Sequence, residues 1–228
     1  MRNLVTGILT GPLHRLRSWY HDLTRRDRFT RIFLAGGFGG QASRSGPGSD
    51  LQQTAKIRTA LPRLLAELDV HSLLDIPCGD LHWMQSVPLE GIQYIGADIV
   101  KPLVAISAAR YGNSSRQFLV LDLVSDELPL ADLVLCRDGL VHLSFRAIHR
   151  AIRNLIASHA TYLLATTFPG RANQDCVTGE WRALNLEAPP FLFPPPLRLI
   201  NEGCTEAAGA FADKSLGLWR IADLPPLG

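Results

Sequence analysis

Asp75, Asp98, Asp122 and Asp138 each follow a short apolar run in this 228-residue chain, and the first three stand 23 and 24 residues apart. A carboxylate can accept both hydrogens of a vicinal diol in charge-assisted bonds. In parallel α/β architectures, an acid about 20 residues beyond the first glycine turn commonly holds a ribose in this way. Asp98 fits that role. A lone aspartate after a strand is otherwise a turn or helix-cap residue. A series of them delivered to one sheet edge points instead to a site.

The turn after the first run reads Asp75-Ile76-Pro77-Cys78-Gly79-Asp80-Leu81. It is not the G-x-G-x-x-G of a dinucleotide site. A pyrophosphate needs glycines for close approach and several backbone amides at a helix start. Asp80 would also repel a phosphate. The turn suits a ligand with a positive group and no phosphate, such as the sulfonium and ammonium of S-adenosylmethionine.

Beyond the fourth run stand Arg137, Asp138 and His142. Asp138 and His142 are spaced i to i+4, so on a helix they would share a face. His142 titrates near neutrality and is a candidate general base, with Asp138 to orient it. The plain alternative is that His142 packs locally. Arg137 would bind an acidic acceptor or pair with a nearby carboxylate. Residues 168–195, with Asn173, Trp181, Asn185 and Phe191, would build an acceptor pocket, or else a proline-rich lid over a small aromatic core. Asp138 and Asp122 form no dedicated metal-ligand set, and no metal is expected.

The elements that must carry these residues follow from periodicity. Short apolar runs at 72–76, 93–97, 117–121, 133–136 and 162–167 read as strands. Helical patterns lie at 51–68, where Pro62 is expected to kink or split the helix, at 103–110 and at 145–158. Two late strands are expected at 198–200 and 217–221, after the extended stretch EAPPFLFPPP. Apolar strands separated by helices imply a parallel sheet covered on both faces. The fold class is therefore α/β, a doubly wound, mostly parallel seven-stranded sheet with helices on both faces. Residues 36–50, GGFGGQASRSGPGSD, are too rich in Gly and Ser for a helix or central strand. They would be a linker or a loop closing over a ligand.

Hydrophobic residues make up 46% of the chain and charged residues 19%, which suits one globular domain. A net charge of +2 gives no reason to expect nucleic acid. Residues 1–35 nevertheless hold seven Arg and two acids. Their basic stretch, 15–31, would touch phosphates, an anionic membrane surface or an acidic partner, or form a solvated helix. No apolar run approaches the roughly 20 residues needed to span a bilayer. The opening lacks a signal-peptide pattern, and the expected location is cytoplasmic. Cys78, Cys136, Cys176 and Cys204 form no C-x-x-C pair. Cys78 and Cys136 would be small buried residues or a redox-sensitive contact.

LLDIPCGDLHWM resembles the glycine-loop motif of class I S-adenosylmethionine-dependent methyltransferases, with Pro77 and Leu81 where the outer glycines would stand. YIGADIV resembles the second motif and FLVLDLVSDELP the third, while ADLVLCRDGLVHLS resembles the fourth strand and the helix after it. The resemblance covers roughly residues 35–168. It extends to a bacterial subgroup with a leading FGGxxSxSGxGS segment and a later LNLxxPPF stretch. It implies the Rossmann-like methyltransferase fold over 36–228, preceded by a basic arm at 1–35. It implies S-adenosyl-L-methionine as cofactor, held by Gly40, Ser43, Ser45, Asp75, Pro77, Gly79, Asp80, Trp83, Asp98, Ile99, Asp122, Leu123 and Arg137. Asp122 would meet the adenine amine and Leu123 its ring, and residues 38–49 would cover the cofactor. The expected activity is methyl transfer to a small molecule, a sugar or glycan intermediate among the options, with His142 and Asp138 as catalytic candidates. From a different class, the alternative is a non-catalytic nucleoside-binding partner protein.

Overall fold

The computed structural model describes residues 25–226. Helical residues 25–34 (α1) lead through an irregular segment to α2 (Ala55–Glu67). There follow β1 (Ser72–Asp75), β2 (Gln93–Asp98), α3 (Lys101–Tyr111), β3 (Arg116–Val120), β4 (Leu133–Cys136), α4 (Phe145–Ala157), β5 (Tyr162–Thr167), β6 (Arg198–Asn201) and β7 (Ser215–Arg220). The seven strands form one sheet in the order β3-β2-β1-β4-β5-β7-β6. β1 to β5 pair in parallel, and β7 runs antiparallel to both β5 and β6. No helix among the described residues is long and apolar enough to cross a membrane.

Successive side chains on a strand face opposite sides, and the core divides accordingly. Leu74, Val134, Cys136, Leu163 and Ala165 join one cluster with Ile148, Ile152 and Leu155 of α4. Leu73, Leu133, Leu135, Leu164, Leu216 and Leu218 join another with Ile57, Leu61, Leu64 and Leu65 of α2. α4 begins at Ser144, whose hydroxyl accepts the Ala147 amide. Pro62 does not split α2, which runs unbroken across it. Its buried residues lie on both sides of the proline, so packing on the sheet holds the two halves as one helix.

Because β1 to β4 are parallel, their carboxyl ends share one edge. β1 meets β2 with Asp75 opposite Gly96, and β4 with Asp75 opposite Leu135. The switch in connection direction falls between β1 and β4, where such sheets bind ligands.

Candidate active site

A cavity of about 150 Å³ opens at this edge, and Asp75, Asp98, Asp122 and Asp138 all line it. Asp75 is 2% exposed and accepts the Tyr94 hydroxyl at 2.7 Å. Burial raises its pKa to about 7, against the Tyr94 bond, with Asp98 adding to the rise. Asp98 accepts the Val100 amide at 2.9 Å and the Gly79 amide at 3.3 Å. Burial nevertheless raises its pKa to about 6. Neither carboxylate is ion-paired with a described residue. Two acids are thus held at the cavity without an ion-pair partner among the described residues, Arg137 acting on Asp75 only from a distance.

The β1 turn has two residues with left-handed backbone, only one of them a glycine. Gly79 has φ +56°, and a Cβ there would lie 2.2 Å from Ser45 Oγ. Leu81, at an outer glycine position of the resembled motif, has φ 57° and is 1% exposed. The left-handed region costs a non-glycine residue roughly 1–2 kcal/mol. Burial of Leu81 against Trp83, Met84 and α2 holds it there. Pro77 and Trp83 also line the cavity.

Residues 36–50 are packed on this turn. Asp80 is the anchor: its carboxylate accepts the Ser43 hydroxyl at 2.9 Å, the Arg44 amide at 2.8 Å and the Ser45 hydroxyl at 3.2 Å. The Ser45 hydroxyl in turn lies 3.1 Å from the Asp80 amide. Ser45 lines the cavity, whereas Ser43 and Gly40 do not. A Cβ on Gly40 would lie 2.2 Å from the Ser43 carbonyl, so that glycine serves the fold of the segment itself. Phe38 lies over the His142 ring with centroids 4.3 Å apart.

At one end of the cavity Asp122 meets α1. Its Oδ2 accepts Arg25 Nη2 at 2.7 Å and Nε at 3.1 Å, and its Oδ1 accepts the Val124 amide. Phe29, Ile32 and Phe33 of α1 line this end with Ile99, Val100, Leu103 and Leu123. The basic stretch is therefore partly turned inward. Arg26 pairs with Asp126 at 3.0 Å, and Arg28 donates to the Thr178 carbonyl. Its remainder, 15–24, lies outside the described residues.

At the other end Arg137 and Asp138 enter a buried charge network. Arg137 binds Glu202 Oε2 at 2.6 Å, the Gly48 carbonyl at 2.7 Å and Asp138 at 3.3 Å, and stacks over Trp83. Asp138 accepts Lys214 Nζ at 2.6 Å. Burial works against its charge, yet Lys214 and Arg137 hold its carboxyl well below the usual range. Asp138 and His142 do not share a helical face. Asp138 has φ 54°, and only Leu140–His142 form a single 3-10 turn. Glu180 orients His142 instead, its carbonyl 2.9 Å from Nδ1. A carbonyl only accepts, so Nδ1 carries the hydrogen and Nε2 keeps its lone pair. Burial lowers the His142 pKa, which favours this neutral form.

The segment 168–195 does not supply the expected polar pocket. Asn173 donates to the Asn185 and Pro189 carbonyls and accepts the Asn185 amide. Asn185 donates to the Arg171 carbonyl, and Phe191 is fully buried. Trp181 alone of the four is exposed, at 43%, against Phe168 and Phe211. Cys78 and Cys136 are buried and free, and burial raises both thiols. The sequence reading missed Arg25, Gly48, Glu180, Glu202 and Lys214. Lys214 carries a faint signal, as a lysine directly before an apolar strand.

No protein-family model and no curated protein sequence matches the chain. Solved structures do match in fold. The N-methyltransferase NodS from Bradyrhizobium japonicum WM9, solved with S-adenosyl-L-homocysteine, aligns at TM-score 0.51 and 16% identity over 62% of this chain and 74% of its own. Human N-acetylserotonin methyltransferase, solved with SAM, aligns at TM-score 0.51 and 12% identity over 92% of this chain and 67% of its own. The architecture is the Rossmann-like methyltransferase fold.

Proposed function

We propose that this chain is an S-adenosylmethionine-dependent methyltransferase acting on a small molecule, with sugars and glycan intermediates among the candidate acceptors. One observation carries the reading. Asp75 and Asp98 are buried on the cavity with raised pKa values and no ion-pair partner among the described residues, beside a turn too poor in glycine for a pyrophosphate. A ligand bringing positive charge and a diol, without phosphate, meets both needs.

The donor set fits the cofactor. Asp98 would take the ribose hydroxyls. Asp75 and the Gly79 turn would face the amino-acid ammonium and sulfonium. Ile99, Val100, Leu103, Leu123 and Phe33 would enclose the base. When bound, the cofactor supplies a methyl group whose bond to sulfur breaks, the electron pair staying on sulfur, as an acceptor lone pair forms the new bond. His142 Nε2 receives the proton that the acceptor loses. Phe38 and residues 43–49 exclude water from the reacting end.

Isothermal titration with S-adenosylmethionine, S-adenosylhomocysteine and NAD tests the reading. Binding of both adenosyl compounds without heat from NAD is the expected result. Failure of both to bind overturns it.

A further inference from the structure

Among the described residues, the cations beside Asp138 and His142 are already engaged inside the protein, and Arg44, which also lines the cavity, lies over the Phe33 ring. Arg137 and Lys214 have side chains 4% and 6% exposed and are held by Asp138 and Glu202. Arg182 caps the carbonyls of Leu140, Val141 and Leu143. Carboxylates outnumber the cations of the network. A Cβ on Gly48 would fall 3.1 Å from Lys214 Nζ, 3.2 Å from Glu206 Oε2 and 3.5 Å from Asp138 Oδ2. Glu206 thus lies beside this network and acts electrostatically on Arg137, as Glu202 and Asp138 do. Glu202 Oε1 is buried and accepts no hydrogen bond.

What this end offers is acceptor atoms. Asp138 lines the cavity with its side chain 22% exposed, and its Oδ1 has only the Thr166 hydroxyl, at 3.4 Å. His142 also lines it, with Nδ1 fixed on Glu180 and Nε2 as a lone pair. An anion placed here would face Asp138 with no unengaged counter-charge beside it among the described residues, a juxtaposition that like charge disfavours. A hydroxyl or amine would find two acceptors at once.

We propose that the methyl acceptor enters this end as a hydrogen-bond donor without negative charge, an alcohol or an amine, and that carboxylates and phosphates are rejected. The proposal rests on the methyltransferase reading. The test uses the full chain with ¹³C-labelled histidine, saturated with S-adenosylhomocysteine, its His142 ring signal assigned with H142Q. Glycerol, ethanolamine, acetate and inorganic phosphate are titrated at matched pH and ionic strength. The expected result is a saturable shift of the His142 signal with glycerol or ethanolamine and none with acetate or phosphate. A shift with acetate or phosphate overturns the proposal, as does silence from all four probes. Failure of S-adenosylhomocysteine to bind, visible before any probe is added, would strike the methyltransferase reading instead.

Discussion

At one end of the cavity, Asp75 and Asp98 stand on neighbouring parallel strands, buried and without ion-pair partners among the described residues. At the other end, Asp138 is also largely buried but is matched by Lys214 from 76 residues away, while Arg137 is matched by Glu202 from 65 residues away. The first pair has raised pKa values and Asp138 a lowered one. The same residue type therefore does opposite electrostatic work in one cavity. On the function proposed above, the unpaired acids await a cation arriving with a ligand, whereas the paired acid keeps its charge.

Variants at the compensated end are expected to have the largest effect. Lys214→Met leaves Asp138 and Glu202 short of a buried partner. Breaking such a pair costs about 3–5 kcal/mol. Urea unfolding should show this loss, while the affinity of the remaining folded protein for S-adenosylhomocysteine stays within about twofold. A large loss of affinity would join the two ends that we distinguish.

Asp75→Asn tests the uncompensated end through pH. Its folded pKa, near 7, lies above the ordinary 3.8, so the proton is held more tightly when folded. That contribution is fully present below about pH 4 and is lost as pH rises through 7. A shift of this size amounts to roughly 4 kcal/mol. Wild-type stability without ligand should therefore decline from pH 4 to 8. Asp98, raised to about 6, shares the decline up to that pH, so Asp75→Asn should flatten the lower part and abolish the part above about pH 6. An unchanged slope would mean that Asp75 does not carry it.

His142→Gln is expected to lower methyl transfer by about 100-fold or more and to leave cofactor affinity intact. Because the His142 pKa is lowered, wild-type turnover should persist below pH 6.5 and fall only as the ring protonates. A limb centred at or above 6.5 would break the assignment. Asp98→Ala should weaken S-adenosylhomocysteine binding by roughly tenfold, the order of one charge-assisted bond lost. Unchanged affinity would show the ribose to lie elsewhere.

Much of the uncompensated end is legible in the sequence, because each acid there is fixed by its own strand. A run such as Leu73–Asp75 announces both a strand and the residue that stands at its end. The Asp138–His142 pairing is the instructive failure. Its i to i+4 spacing has meaning only on a helix, and Asp138 has the left-handed backbone of a turn. The amides of 168–195 mislead for a related reason. Asn173 and Asn185 satisfy a loop without regular structure by bonding its carbonyls, a need that composition does not display.

By itself the sequence determined the strand and helix periodicities, the sheet they build, and the delivery of four aspartates to one edge. These are short-range matters, set by spacings of two and about four residues and by the residue that ends each run. Only the tertiary structure decided which charges meet. The pairings of Arg25 with Asp122, Arg137 with Glu202, Lys214 with Asp138 and Glu180 with His142 join residues 38 to 97 positions apart. Partner choice over such distances follows from burial, which penalises an unpaired charge wherever in the chain its counterpart lies, and so leaves no periodic trace.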